Sequence, residues 1–206
     1  MKVSSNARRY ARYARIVILP ALLLLSVPLA AHAQSCPNGN LTECTRYRKL
    51  VQDVKSNDPP TALAALKSAS QDLDPSLRSL VYGIALKSSD MTLRTAAVRY
   101  IISGRSFIDV QLELPPHPSD AQQQLYQRNP VLHFRGVKVD DKSDEIAAVA
   151  GANRLTGNFV RGGFEMTFFH CQLRLTGGEA DALRGTLQCA EGKDGVVVLD
   201  ASLDLS

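Results

Sequence analysis

The chain has 206 residues, of which 45% are hydrophobic and 21% charged. It carries 24 Lys+Arg against 20 Asp+Glu, but five of the basic residues (Lys2, Arg8, Arg9, Arg12 and Arg15) fall in the first 33 residues, which hold no acid. The other 173 residues therefore set 19 basic against 20 acidic residues, a net charge of −1, and nothing in that balance asks for nucleic acid or an anionic membrane surface. With no tryptophan and only 6% aromatics, a sugar-binding module built on aromatic platforms is disfavoured.

Residues 1–33 read as a secretory signal. Arg8, Arg9, Arg12 and Arg15 form a basic leader, and Ile16 to Ala31 is an apolar run broken by Pro20 and Pro28. Ala31-His32-Ala33 is a small-x-small cleavage site. The run falls short of the roughly 20 residues a spanning helix needs. These features predict cleavage after Ala33, a mature chain beginning at Gln34, a periplasmic or secreted location and no membrane contact after cleavage. The flanks of Arg8-Arg9 do not support a twin-arginine signal. Gln34 is polar where a lipoprotein signal ending at Cys36 has a small or apolar residue.

The four cysteines, Cys36, Cys44, Cys171 and Cys189, all lie in the mature part. In an exported chain an even number reads as disulfides, and three pairings are open. The expected pairs are Cys36–Cys44 and Cys171–Cys189. Without a close Cys-x-x-Cys pair, metal binding by these cysteines is the lesser alternative. The first bridge would staple the new N-terminus to a helix over Thr42 to Lys55.

A repeat follows. Asp58, Asp74 and Asp90 stand sixteen residues apart and open the segments DPPTALAALKSASQDL, DPSLRSLVYGIALKSS and DMTLRTAAVRYIISGR. Each Asp suits an N-cap, since its carboxylate can accept from the free N–H groups of the first turn and complements the helix dipole. Pro59 and Pro75 follow at the position where proline costs nothing. Apolar residues align across the units: Ala64, Leu80 and Ala96; Ala65, Val81 and Ala97; Ala69, Ala85 and Ile101. The spacing predicts three helices of about 11–13 residues, with the Thr42 helix as an atypical fourth.

The D-x-x-L-R pattern at Asp74–Arg78 and Asp90–Arg94 resembles a HEAT-type helical repeat over residues 58–103. The first unit departs from it, with Ala62 where the others have Arg78 and Arg94. The resemblance implies a scaffold that binds partners through a surface and performs no chemistry. Arg78 and Arg94 either make solvated or intra-repeat ion pairs or, with Tyr82 and Tyr100, form an interaction surface.

From Ser106 the periodicity becomes alternating, so a boundary is expected near Ser103–Ser106, between a helical domain over 34–105 and a β domain over 106–206. Strands are expected over Phe107–Leu114 and Val131–Val139, with weak ones over Ile146–Ala150 and Arg154–Val160. A long strand over Phe164–Thr176 and two more over Leu183–Ala190 and Val196–Leu205 complete the set. A short helix capped by Ser119 spans Asp120 to Arg128. Placing Cys171 opposite Cys189 sets Leu173 against Leu187 and Leu175 against Gly185, with Gln172, Arg174, Thr186 and Gln188 on the wet face. One register then satisfies the bridge and both faces. The expected fold class is α+β: a short helical repeat of three to four helices, then six or seven antiparallel strands in a small sandwich or open barrel with a disulfide-bridged hairpin.

Chemistry-bearing motifs are scarce. There is no Gly-x-Ser-x-Gly elbow and no His-Glu-x-x-His helix. His133 and His170 could meet across strands, but surface or half-buried roles are the plainer account. His117 sits in a proline-rich loop. The cluster Asp140, Asp141, Asp144 and Glu145 could hold calcium, yet it lacks the glycine and distal Glu of an EF-hand loop and reads better as a solvated hairpin turn. No catalytic residue, cofactor or metal is expected. The leading expectation is a non-enzymatic adaptor of the bacterial envelope, docking a protein partner through its helical face or a β edge. The alternatives are a periplasmic hydrolase with a site between the domains, or a small envelope inhibitor or stress protein.

Overall fold

Each of the three regularly spaced aspartates caps a helix. The computed structural model describes residues 41–140, 142–178, 181–191 and 195–205. The expected signal segment (residues 1–33), Cys36 and Asp141 lie outside the described residues. Four helices come first: α1 (Leu41–Val54), α2 (Pro59–Asp72), α3 (Pro75–Leu86) and α4 (Met91–Ser103). Asp58 accepts from the Thr61 backbone N–H, Asp74 from that of Ser76, and Asp90 from those of Thr92 and Leu93. These bonds satisfy donors that the first helical turn cannot satisfy itself.

The aligned registers separate into an inner and an outer face. Ala65, Val81 and Ala97 are buried, as are Ala69 and Ala85. The register of Ala64, Leu80 and Ala96 faces outward, with Leu80 48% exposed. In α1, Tyr47, Leu50, Val51 and Val54 are buried at helical spacing. α1 packs on α2 and α3, and α4 on α3 and α2. Each large aliphatic side chain so buried contributes about 1.5–3 kcal/mol, whereas the local helix preference of these short segments is marginal.

The chain passes from helix to strand between Ser103 and Phe107, and Asn38–Ser206 forms one compact unit. The strands are β1 (Phe107–Glu113), β2 (Val131–Val139), β3 (Glu145–Ala150), β4 (Asn153–Val160), β5 (Gly163–Phe168), β6 (Cys171–Gly177), β7 (Ala182–Glu191) and β8 (Gly195–Asp204). Between β1 and β2 lies α5 (Asp120–Arg128), held by a capping box of Ser119 and Gln122.

Every strand pairs antiparallel with the next, and β1 pairs with β8 through Gln111↔Ser202, Leu112↔Ala201 and Glu113↔Asp200. The β part is therefore a closed eight-stranded barrel, which corrects the expected sandwich or open barrel. Closure removes the two exposed edges that an open sheet would leave. The strand number is also corrected. The expected single strand over Phe164–Thr176 breaks into β5 and β6 at a two-residue turn, Phe169-His170, where Phe169 has a φ of 52°.

Alternation fills the barrel. Ile108, Val110 and Leu112 of β1 point inward with Phe164 and Met166 of β5, Leu173 and Leu175 of β6, and Leu199 and Leu203 of β8. Many outward positions are polar, such as Asp109, Gln111 and Glu113 on β1, Gln172 and Arg174 on β6, and Arg184 and Gln188 on β7, while Phe107, Val149, Val196 and Val198 are exposed apolar residues. The bridge Cys171–Cys189 is formed, and its hairpin has the expected register, with Leu173 opposite Leu187 and Leu175 opposite Gly185. Cys44 is also disulfide-bonded.

α4 fixes the helices to one end of the barrel. Arg94 Nη2 donates to the Gly178 carbonyl after β6 at 2.9 Å. Thr95 Oγ1 accepts from the Gly162 N–H, between β4 and β5, at 2.7 Å. Arg99 reaches the turn between β2 and β3 through Asp144 and the Asp140 carbonyl. Just beyond α4, Arg105 Nη1 donates to the Asp204 carbonyl at the end of β8 at 2.6 Å. Three hairpin turns and the last strand are thus held by residues of one helix and its C-terminal extension.

Candidate functional site

Three of the four residues expected to form an interaction surface come together. The Asp74 cap starts α3, and Arg78 stands one turn further along. Its Nη2 folds back to donate to the Leu73 carbonyl at 3.0 Å, which pins the guanidinium at the head of the helix. Tyr82 follows one turn later and stacks on Tyr100 of α4, with ring centroids 6.2 Å apart and planes 9° from parallel. Such offset pairs contribute roughly 0.5–1.5 kcal/mol beyond their buried area.

Arg94 occupies the repeat position equivalent to Arg78, yet it turns to the barrel and the Gly178 carbonyl. The Nε atoms of both arginines are buried without a hydrogen-bond partner.

Burial pushes the Tyr82 phenol up to about 12; the nearby Arg78 charge pulls the other way and Tyr100 adds a little upward. Desolvation disfavours the charged form, so Tyr82 stays neutral at physiological pH. The Asp74 carboxyl is held below its ordinary value, first by the Ser76 backbone N–H. Burial lowers the Arg105 guanidinium, against the opposing pull of Asp204.

Around the tyrosine stack the surface is concave. A cleft of about 630 Å³ is lined by Lys67 and Gln71 of α2, Arg78 and Tyr82 of α3, and Arg99 and Tyr100 of α4. Among the described residues, no carboxylate lines it. Across the stack, a second cleft of about 510 Å³ shares Arg78, Tyr82, Tyr100 and Gly104 and continues over Leu80 to Arg105. A third, of about 550 Å³, shares Ala96 and Arg99 with the first and runs over Thr95 and Thr92 to Asp144 and Phe159 at the barrel end.

Arg99 stands where the first and third clefts meet, and its charge is partly used within the chain. Nη1 pairs with Asp144 Oδ1 at 2.6 Å, Nη2 donates to the Asp140 carbonyl at 2.8 Å, and the guanidinium lies 5.9 Å from the centre of the Phe159 ring. The acidic turn is thereby organised around a side-chain cation. Asp140 Oδ1 accepts from the Lys142 and Ser143 N–H groups, and these bonds hold its carboxyl below the ordinary value.

The histidines stand apart from these clefts. His133 of β2 pairs through Nδ1 with Asp109 of β1 at 2.8 Å, on the outer barrel face beside Phe107 and Arg135. His170 occupies the β5–β6 turn and His117 the loop after Pro116, both exposed. Strands β3, β4 and β5 separate β2 from that turn, so His133 and His170 do not meet. Among the described residues, no group of three or more His, Cys, Asp or Glu side chains is placed to hold a metal ion.

Lys67, Gln71 and Arg99 were not marked by the sequence. Lys67 and Gln71 fall on the outer side of their helix with no motif around them. Arg99 aligns with Gly83 one repeat earlier and with Lys67 two repeats earlier, so the register carries a cation in the first and third units and is broken by a glycine in the second.

No protein-family model, curated protein or solved structure matches the chain.

Proposed function

We propose that this chain is an exported, non-enzymatic interaction protein of the bacterial cell envelope, and that it holds a protein partner in the groove along α4. The observation that carries this reading is the meeting of three clefts around Arg78, Tyr82, Tyr100 and Arg99. A pinned arginine beside stacked tyrosines is the composition of an interaction hot spot: aromatic area at low entropic cost and a directional cation. The resemblance of residues 58–103 to HEAT-type repeats supports it, since stacked helices of that kind present extended binding faces. Export is supported by the secretory features of residues 1–33 and by the Cys171–Cys189 bridge, which suits an oxidising compartment.

The test is photocrosslinking in the native envelope. A photoreactive residue is placed at Gln71 or Ser103 in the groove and, as a control, at Gln172 on the outer face of β6. The reading expects one and the same partner protein from both groove positions, none from Gln172, and loss of the product in Tyr100→Ala. Equal capture from Gln172, or none from the groove, overturns it.

A further inference from the structure

The three clefts form one path. Thr92, Thr95, Ala96, Arg99, Tyr100 and Ser103 recur at helical spacing along α4, and each lines the first or third cleft. From Thr92 to Ser103 the helix rises about 17 Å at ~1.5 Å per residue. An extended chain covers that length with about five residues at ~3.3 Å each. A globular ligand would occupy one cleft and leave the others wet, whereas an extended segment fills them in sequence.

Charge decides what kind of segment. The central cleft presents Lys67, Arg78 and Arg99, with no carboxylate lining it among the described residues. The flanking clefts add Arg105 and Arg161 against Asp90, Asp144 and Asp181, of which Asp144 takes up part of the Arg99 charge, so five cations face three carboxylates along the path. Lys67 is exposed, and the Arg78 guanidinium is already oriented by the Leu73 carbonyl, so an incoming carboxylate meets a preset donor. The outward-facing Leu80, 48% exposed, and the tyrosine stack supply apolar contact at the other end.

We infer that the occupant of the α4 groove is an extended acidic segment of the partner protein, with a carboxylate between Lys67 and Arg78 and apolar side chains against Tyr82, Tyr100 and Leu80. This rests on the proposed partner-binding role and specifies its ligand. Recognition of this type combines a steering field with aromatic contact, and it weakens as salt rises.

The experiment uses the full mature chain and three fluorescein-labelled peptides of equal length: glutamate alternating with leucine, and the same peptide with glutamine or lysine for glutamate. Fluorescence anisotropy is expected to show binding of the glutamate peptide, binding about tenfold weaker for the glutamine peptide, and none for the lysine peptide. Lys67→Glu is expected to weaken the glutamate peptide about tenfold and to leave the thermal unfolding midpoint unchanged, because Lys67 is exposed. Equal affinity for the glutamate and glutamine peptides, or no effect of Lys67→Glu, overturns the inference. Equal competition by free glutamate overturns the extended-segment part of it. If a partner crosslinks through Gln71 and Ser103 while the glutamate peptide does not bind, the partner-binding role stands and the acidic-segment inference falls.

Discussion

Thr95 Oγ1 of α4 accepts a hydrogen bond from the backbone N–H of Gly162 at 2.7 Å, joining a helix to a hairpin turn sixty-seven residues later. The same hydroxyl donates back to the Met91 carbonyl at 2.7 Å, so its proton and a lone pair are both engaged. Gly162 is buried and has a φ of +81°, a conformation that L side chains rarely adopt. A Cβ there would stand 2.3 Å from Met91 Cε. The contact sets how the groove-bearing helix sits on the barrel.

Removing the acceptor while keeping the shape isolates this contact. Thr95→Val leaves the buried Gly162 N–H without its acceptor, and an unpartnered buried donor costs about 1–3 kcal/mol. Gly162→Ala adds left-handed backbone strain of about 1–2 kcal/mol. Both are expected to lower the denaturant midpoint with an unchanged slope, read by circular dichroism. A Thr95→Val variant as stable as the parent would show that water replaces the hydroxyl.

Arg99 gives a different expectation. Its ion pair with Asp144 is partly exposed, and such pairs contribute about 1 kcal/mol at most. Its bonds to the Asp140 and Ser143 carbonyls tie down a charged turn. Arg99→Met is therefore expected to change global stability by less than about 1 kcal/mol while raising hydrogen exchange in the amides of Lys142, Ser143 and Asp144. Unchanged exchange there would mean that the Asp140 side-chain bonds hold the turn alone.

The sequence carries these features unequally. The caps Asp58, Asp74 and Asp90 were legible because capping is local chemistry, settled within a few residues. The Cys171–Cys189 register was legible because a bridge and an alternating pattern restrict each other. Closure of the barrel was not, since β1 and β8 stand at opposite ends of the β half and nothing local in either says that Leu112 faces Ala201. The break at Phe169-His170 was hidden for the opposite reason. A two-residue turn usually announces itself with Gly or Asn, and here a phenylalanine takes the left-handed position. The groove was half legible. Arg78, Tyr82 and Tyr100 share the helical pattern, but Lys67 and Arg99 join them only through packing. Arg94 was indistinguishable from Arg78 until the barrel turn at Gly178 appeared beside it.

Loss of the bridge should weaken the barrel without unfolding it. Cys171 and Cys189 are 18 residues apart, and a loop of about that size corresponds to about 3 kcal/mol in the chain-entropy account. The hairpin register survives on Leu173 against Leu187 and Leu175 against Gly185. The double variant Cys171→Ala, Cys189→Ala is expected to fold and to melt roughly 6–12 °C lower, at about 2–4 °C per kcal/mol for a chain of this size. A smaller drop would mean that the hairpin is already ordered in the unfolded chain.

Acid should act first on two turns. The carboxyls of Asp74 and Asp140 are both held below 3.8, mainly by backbone N–H groups. A folded pKa below the unfolded value means that the stabilisation is complete above the unfolded pKa and declines as pH falls through the folded one. Stability is therefore expected to be flat with respect to these two groups above about pH 5 and to decline below pH 4. Carboxyl NMR titration should show both groups ionising below the ordinary aspartate value. Asp74→Asn should flatten part of the acid limb. Ordinary titration of both residues would remove the N–H bonds as its cause.

Alkali should act on the groove itself. The Tyr82 phenol lies at about 12, raised from 10.0 by burial. A folded pKa above the unfolded one contributes stability that is complete below pH 10 and is lost as pH rises through about 12. Tyr82 is expected to ionise above the ordinary tyrosine value of 10.0, followed by the ultraviolet absorbance of tyrosinate, and the stack on Tyr100 should loosen as it does. Tyr82→Phe keeps the ring and the stack but has no proton to lose. It should therefore remove the late step and extend stability at high pH. If the late step persists in Tyr82→Phe, it does not come from Tyr82, and the stack is more open to water than its 9° geometry and the burial of Tyr82 imply.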